Sequence, residues 1–184
     1  MKKLIQHMPR KIRLVILIFS FIILSLITTC VYKQKIIKHY GLEYKQYLVF
    51  QSSENTCGPA ALATLLKIYG DDVSESRILN ECNGSPNTEV SLAQLKIASE
   101  IHNFTFKAYH CNVSTLPILI RENHYVLIYL INPDHFMCTL GKEGPYIVLF
   151  DPNHGITTTT LNNLNKRWGN VVCIINPQPK HREQ

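Results

Sequence analysis

The sequence predicts an α+β domain carried behind a single membrane-spanning helix. Three observations predict it: an uncharged run of Leu, Ile, Val and Phe from Leu14 to Tyr32, helical periodicity between Cys57 and Ile101, and β-rich segments from Thr105 onward. Helices first and strands later is the order of an α+β domain, not of alternating βα units. A chain of 184 residues holds one such domain and an appendage.

The appendage comes first. Leu14–Tyr32 reads LVILIFSFIILSLITTCVY, which is long enough to cross a bilayer core as a helix. A basic stretch before an apolar one is also the order of a secretory signal peptide. This run, however, exceeds the roughly 7–15 residues of a signal core, and no Ala-x-Ala site follows it. Ile27-Thr28-Thr29-Cys30 loosely matches the site where bacterial lipoproteins are cleaved and acylated, with Thr29 bulkier than the small residue found there. An uncleaved anchor is therefore expected. Lys2, Lys3, Arg10, Lys11 and Arg13 precede the run, and Lys33, Lys35 and Lys38 follow it. By the positive-inside rule, residues 1–13 are expected in the cytoplasm and the domain on the outer side of a bacterial cytoplasmic membrane.

The same residues explain the net charge of +6. Eight of the 19 basic residues precede His39 and all 13 acidic residues follow it, so the domain itself is close to neutral. That removes the basic face of a nucleic-acid-binding protein, and neither a zinc-finger spacing nor an RNA-binding signature is present. Nucleic acid is not an expected partner.

Residues 33–47 read as a basic linker, residues 48–177 as the domain and residues 178–184 as a polar tail. Leu42–Phe50 reads as a first strand or an extended lead-in. A helix is expected after Cys57-Gly58-Pro59, with Ala60, Ala61, Leu62, Leu65, Leu66 and Ile68 as its apolar positions and Gly70 as its stop. Ser74–Asn80 is short and amphipathic. Ser91 and Gln94 form a capping box ahead of Leu92, Leu95, Ile97 and Ile101. Strands are expected at Thr105–His110, Tyr125–Ile131, Phe136–Leu140, Tyr146–Phe150 and Val171–Ile175, bounded by Gly, Pro and Asn.

Chemistry concentrates at Gln51-Ser52-Ser53-Glu54-Asn55-Thr56-Cys57-Gly58-Pro59, where a thiol sits at a helix start. Free N–H groups and the positive end of the helix dipole favour a thiolate there, and the thiolate is the form that attacks a carbonyl carbon. Gly58 is expected to leave room for substrate beside the sulfur. Gln51 has an amide N–H to offer the oxyanion, an interaction worth about 3–4 kcal/mol in the transition state. A buried Cys alone is more often structural, so its partners decide.

Among eight histidines, His135 is singled out by a hairpin argument. Phe136–Leu140 and Tyr146–Phe150 flank the turn Gly141-Lys142-Glu143-Gly144-Pro145. If Leu140 faces Tyr146, His135 lies directly opposite Asp151, and a carboxylate comes within reach of the imidazole. His154, inside the turn Asp151-Pro152-Asn153-His154-Gly155, is the competing base. His110 with Cys111 and His135 with Cys138 lack the paired spacing of a zinc site, so neither a metal nor a cofactor is expected.

With the order Gln51, Cys57, His135, Asp151 in hand, the region from about Leu48 to Pro177 resembles the bacteriocin-processing cysteine peptidases. These cleave leader peptides after a double glycine and often form the first domain of peptide-exporting ABC transporters. The resemblance is carried by Gln51…Cys57-Gly58, the helix start Ser91–Leu95, His135-Phe136-Met137, Asp151-Pro152…Gly155, and Trp168-Gly169 before a last strand. It implies a papain-like α+β fold, with Cys57, His135, Asp151 and Gln51 catalytic. No transporter helices and no G-x-x-x-x-G-K-[ST] loop accompany the domain in this chain, so any exporter is expected to be a separate partner.

The expected function is a membrane-anchored cysteine peptidase that acts on peptide or protein substrates, including leader peptides of exported products. A peptide-binding module without chemistry, and an acyl or peptidyl transferase using the same thiol, are the competing classes. In an oxidising space Cys82, Cys111, Cys138 and Cys173 are candidates for pairing, whereas Cys57 has to stay free.

Overall fold

The structure, a computed structural model, describes residues 9–122, 125–131 and 133–179. Lys2, Lys3 and the tail from residue 180 lie outside the described residues. Helix α1, Arg10–Tyr44, opens after Pro9, whose missing N–H suits the position before a first turn. Its apolar half is exposed along Leu14–Ile27, and it is the one described helix long and apolar enough to cross a membrane.

The basic stretch after Tyr32 is not an extended linker, because α1 runs through it without a break. The reason lies in spacing. Ile36, Tyr40 and Tyr44 recur every four residues and form one buried stripe, which the remainder of the domain covers. Tyr40 stacks on Tyr44 at 5.8 Å, the Tyr44 hydroxyl meets that of Tyr125 at 3.0 Å, and Lys33 Nζ lies 5.1 Å from the centre of the Tyr146 ring. After Tyr44 the chain turns and runs extended to Gln51 without joining the sheet.

Helix α2, Cys57–Ile68, is buried from Cys57 to Leu66. Helix α3, Glu75–Glu81, is capped by Ser74, whose side chain accepts from the Arg77 N–H. Helix α4, Leu92–Ile101, has the expected capping box of Ser91 and Gln94.

The second half forms one antiparallel sheet of six strands in the order β1-β6-β2-β3-β4-β5. These are β1 Phe104–His110, β2 Val126–Leu130, β3 His135–Glu143, β4 Tyr146–Asp151, β5 Gly155–Thr160 and β6 Trp168–Pro177. Five match expected segments. The sixth, β5, escaped because GITTTT has one large apolar residue and no alternation, as suits an edge strand. Short helices α5, Leu116–Arg121, and α6, Leu161–Asn165, were not anticipated either.

The sheet has two covered faces. Phe136, Cys138, Leu140, Val148 and Phe150 join α2, α4 and the tyrosine stripe of α1, while Met137, Ile147 and Leu149 pack with Leu116, Leu164 and Trp168 on the other side. All six cysteines are free. Cys138 and Cys173 both pair across Leu127, so two strand spacings, about 9–10 Å, separate them and no disulfide fits.

Tyr40 closes down on Gly141, where a Cβ would collide with its hydroxyl and come within 3.0 Å of ring carbons. Gly141→Ala is expected to lower the unfolding free energy by about 1–3 kcal/mol in chemical denaturation. An unchanged midpoint would mean that α1 does not seat against β3.

Candidate active site

Cys57 is the first residue of α2, and the loop before it is tied from several sides. Thr56 is fully buried; its hydroxyl donates to Ser53 O at 3.0 Å and accepts from Ser53 N–H at 3.1 Å. The Ser53 hydroxyl donates to Pro86 O at 2.8 Å, and Ser52 N–H donates to Glu75 Oε1 at 2.8 Å. Gln51 N–H donates to Pro152 O at 3.0 Å, which joins this loop to the turn after β4. Helix start and turn are therefore held as one unit.

Gly58 serves packing more than access. A Cβ there would stand 3.2 Å from Phe136 and 3.3 Å from Leu95, so the missing side chain lets α2 settle onto β3. The room expected for substrate beside Gly58 is thus largely occupied. The open space lies next to it, in a narrow cleft lined by Asn55, Cys57, Gly58, Glu89, Val90, Tyr129, Asp134, His135 and Phe136.

His135 opens β3 opposite Leu130 of β2, and Asp151 closes β4. Their contact arises from a different register than the sequence implied. Glu143, not Leu140, faces Tyr146, and a bulge between Thr139 and Gly141 brings Cys138 opposite Phe150. Continued along that ladder, Asp151 falls opposite Met137, and His135 becomes its diagonal neighbour on the same face. The imidazole spans the diagonal: His135 Nε2 lies 2.8 Å from Asp151 Oδ1, with both side chains mostly shielded from water.

Burial works against a charged imidazole, but the hydrogen bonds to Asp151 and Cys57, and their charges, outweigh it, and His135 is raised to about 9. His135 and Cys57 line the same cleft. Burial likewise works against the Asp151 carboxylate. Hydrogen bonds from His135, from the Asn153 backbone and from His154 prevail, and hold it well below the usual carboxylate range. His154, the competing base, is exposed and reaches the same carboxylate from outside, with Nδ1 3.0 Å from Oδ2.

The structure thus brings Cys57 and His135 to one cleft, with Asp151 hydrogen-bonded to His135, and a thiol, an imidazole and a carboxylate are the groups that nucleophilic catalysis needs. Gln51 is attached differently. Its Nε2 donates to Ser53 O at 2.9 Å, and its Oε1 is buried without a hydrogen-bond partner among the described residues. Sequence reasoning overlooked Glu89, Tyr129 and Asp134, which line the cleft from segments remote in sequence. Only the position of Asp134 next to His135 was available as a signal.

Residues 45–180 match the model of the Peptidase C39 family. Over 148 residues the chain is 24% identical to the lactococcin-G-processing and transport ATP-binding protein LagD of Lactococcus lactis, covering 73% of this chain but 19% of that protein. It is 30% identical over 130 residues to an uncharacterized protein of Methanothermobacter marburgensis, covering 70% of this chain and 88% of that one. It is 26% identical over 152 residues to the probable functional amyloid protease FapD of Pseudomonas aeruginosa, covering 73% and 67%.

Among solved structures, the peptidase domain of Streptococcus ComA, a bi-functional ABC transporter, superposes with a TM-score of 0.66 at 19% identity, covering 71% of this chain and 98% of that one. A double glycine motif protease from an AMS/PCAT transporter, in complex with its leader peptide, gives 0.63 at 21% identity, covering 71% and 91%. These likenesses establish the papain-like α+β fold.

Because its folded pKa exceeds the ordinary 6.5, His135 stabilises the fold fully below pH 6.5 and loses that contribution as pH rises towards 9. Titration of the imidazole by NMR should give a midpoint near 9, and Asp151→Asn should lower it. A wild-type midpoint at or below 6.5 would contradict the arrangement.

Proposed function

The chain belongs to the Peptidase C39 family and is a cysteine peptidase, and from that premise we propose that it is membrane-anchored and cuts peptide bonds through a thioester on Cys57. Family membership sets aside the binding module without chemistry. The observation that carries the mechanism is the 2.8 Å contact of His135 Nε2 with Asp151 Oδ1 beside the cleft that His135 and Cys57 both line.

In this mechanism His135 accepts the thiol proton and the Cys57 sulfur adds to the scissile carbonyl carbon. The developing oxyanion is met by the N–H groups of the first turn of α2, which have no partner within the helix, and by the Gln51 amide hydrogen not given to Ser53. Collapse of the adduct breaks the C–N bond, and His135 returns the proton to the leaving amine. Water, deprotonated by His135, then adds to the thioester, and the carboxylic acid product departs as the thiol is restored. Asp151 keeps the ring oriented and favours its charged form.

The substrates proposed are leader segments of exported peptides or proteins. Support comes from relatives named for processing and transport, and from the double glycine motif protease whose structure holds its leader peptide. Here an exporter would be a separate partner. The exposed apolar half of α1 and the basic residues before it support a tether in the cytoplasmic membrane with the domain outside.

Cys57→Ala should abolish cleavage of any peptide substrate and leave circular dichroism and unfolding unchanged. His135→Ala should lower kcat by about 10²–10⁴-fold, and Asp151→Asn by a smaller factor. Turnover by His135→Ala equal to wild type would pass the base role to His154.

Topology has its own readout. Protease added to intact spheroplasts should digest the domain; protection until lysis would place it in the cytoplasm.

A further inference from the structure

Cys57 and Gln51 are placed by different means. Cys57 is seated by its helix, because α2 is buried from Cys57 to Leu66 and cannot shift without opening the core. Gln51 belongs to no helix or strand and lies at the end of the extended lead-in that stays outside the sheet. Its side chain is weakly held by its own bonds: Nε2 donates to Ser53 O, and the buried Oε1 has no partner among the described residues. Its aim therefore depends on the backbone. Gln51 N–H donates to Pro152 O at 3.0 Å and Ser52 N–H donates to Glu75 Oε1 at 2.8 Å. These two bonds hold the peptide planes on either side of the Gln51 Cα, and so set the direction in which the side chain leaves the chain.

Glu75 is the unusual partner of the two. It is only 8% exposed, and among the described residues it forms no ion pair with Lys, Arg or His. A carboxylate withdrawn from water without a cation is costly unless hydrogen-bonded, and a bond from N–H to a carboxylate is roughly twice as strong as one to a neutral acceptor. The carboxylate also stands on a fixed post. Glu75 opens α3, whose Ile78 and Leu79 are buried and whose last residue, Glu81, meets His102 Nε2 at 2.8 Å.

We propose that Glu75 is a positioning residue: through Ser52 it holds Gln51 so that the amide hydrogen not given to Ser53 meets the oxyanion. This rests on the reading of Cys57 as nucleophile and Gln51 as oxyanion donor. Loss of Glu75 leaves Cys57 seated, because α2 is held by its own burial, and loosens Gln51.

The test uses the full-length chain in neutral detergent and two probes of the same sulfur. The p-nitrophenyl ester of a blocked diglycine acylates Cys57 through a tetrahedral adduct and releases p-nitrophenol. Iodoacetamide alkylates Cys57 by displacing iodide, with no oxyanion on the path. In single turnover, Glu75→Ala should slow acylation by roughly 10–100-fold at an unchanged half-saturating concentration, part of the roughly 10²–10³ that loss of an oxyanion donor costs. Alkylation, read by mass spectrometry of the peptide that carries Cys57, should keep the wild-type rate. Glu75→Gln retains an acceptor oxygen at the same reach and should recover most of the acylation rate. Glu75→Asp, one methylene shorter, should not. In the Gln51→Ala background Glu75→Asp should cost nothing further.

Equal losses in acylation and alkylation would overturn the proposal, since Glu75 would then act on Cys57 or on the whole fold. Full additivity of Gln51→Ala and Glu75→Asp would do the same. If Glu75→Ala does not fold, the other two variants decide, and wild-type acylation by Glu75→Asp contradicts the positioning role. Failure of the underlying mechanism looks different. A wild type that is neither acylated nor alkylated at Cys57 removes the nucleophile, and acylation indifferent to Gln51→Ala removes the donor.

Discussion

The packing of helix Cys57–Ile68 across β3 is the contact on which the rest of the molecule depends. From Ala60 to Leu66 the helix is fully withdrawn from water, and its far side touches α3 and α4. Burial of each Leu contributes roughly 1.5–3 kcal/mol, so the helix has little freedom to slide or rotate. Its first residue is Cys57 and the first residue of β3 is His135. A largely apolar core contact, crossed by the Cys138 thiol donating to Ala61 O at 3.5 Å, thereby sets where two polar residues stand. Gly58 allows it, since any side chain there would push the helix away from Phe136 and Leu95.

Electrostatics then works within that frame. Burial disfavours charge on both His135 and Asp151, yet each ends in its charged form because the other is beside it. The Asp151 carboxylate also accepts from the Asn153 N–H and meets His154 on its outer oxygen. It is therefore anchored independently of His135, and the imidazole can respond to the sulfur without losing its support. The bond from Gln51 N–H to Pro152 O extends the same frame to the loop before Cys57.

Helix α1 joins two environments in one rod. Its apolar half is exposed on every side, whereas its last three turns bury Ile36, Tyr40 and Tyr44. At about 1.5 Å per residue, the distance from Tyr32 to Tyr44 is about 18 Å of rigid helix. A flexible tether would let the domain tumble. A helix seated on β3 and β4 through Gly141 and Tyr146 holds the apolar stretch Leu14–Tyr32 at a fixed attitude to the domain.

What the sequence by itself determined is what short-range chemistry controls. The capping box at Ser91, the helix start at Cys57, the uncharged run before Tyr32 and the hairpin around Gly144 are all written within a few residues of where they act. The α+β class was legible from the order of helical and strand segments. Tertiary structure decided the rest. The β3–β4 register depends on a bulge at Leu140 that no local pattern signals, so His135 meets Asp151 diagonally and not face to face. β5 is a strand because β4 offers it an edge, not because its threonines alternate. The end of α1 is helical because its tyrosines find a sheet to cover them. Glu89 and Asp134 share a cleft only because α4 and β3 bring their flanking loops together. In each case the deciding partner lies tens of residues away, where side-chain burial and not local propensity sets the outcome.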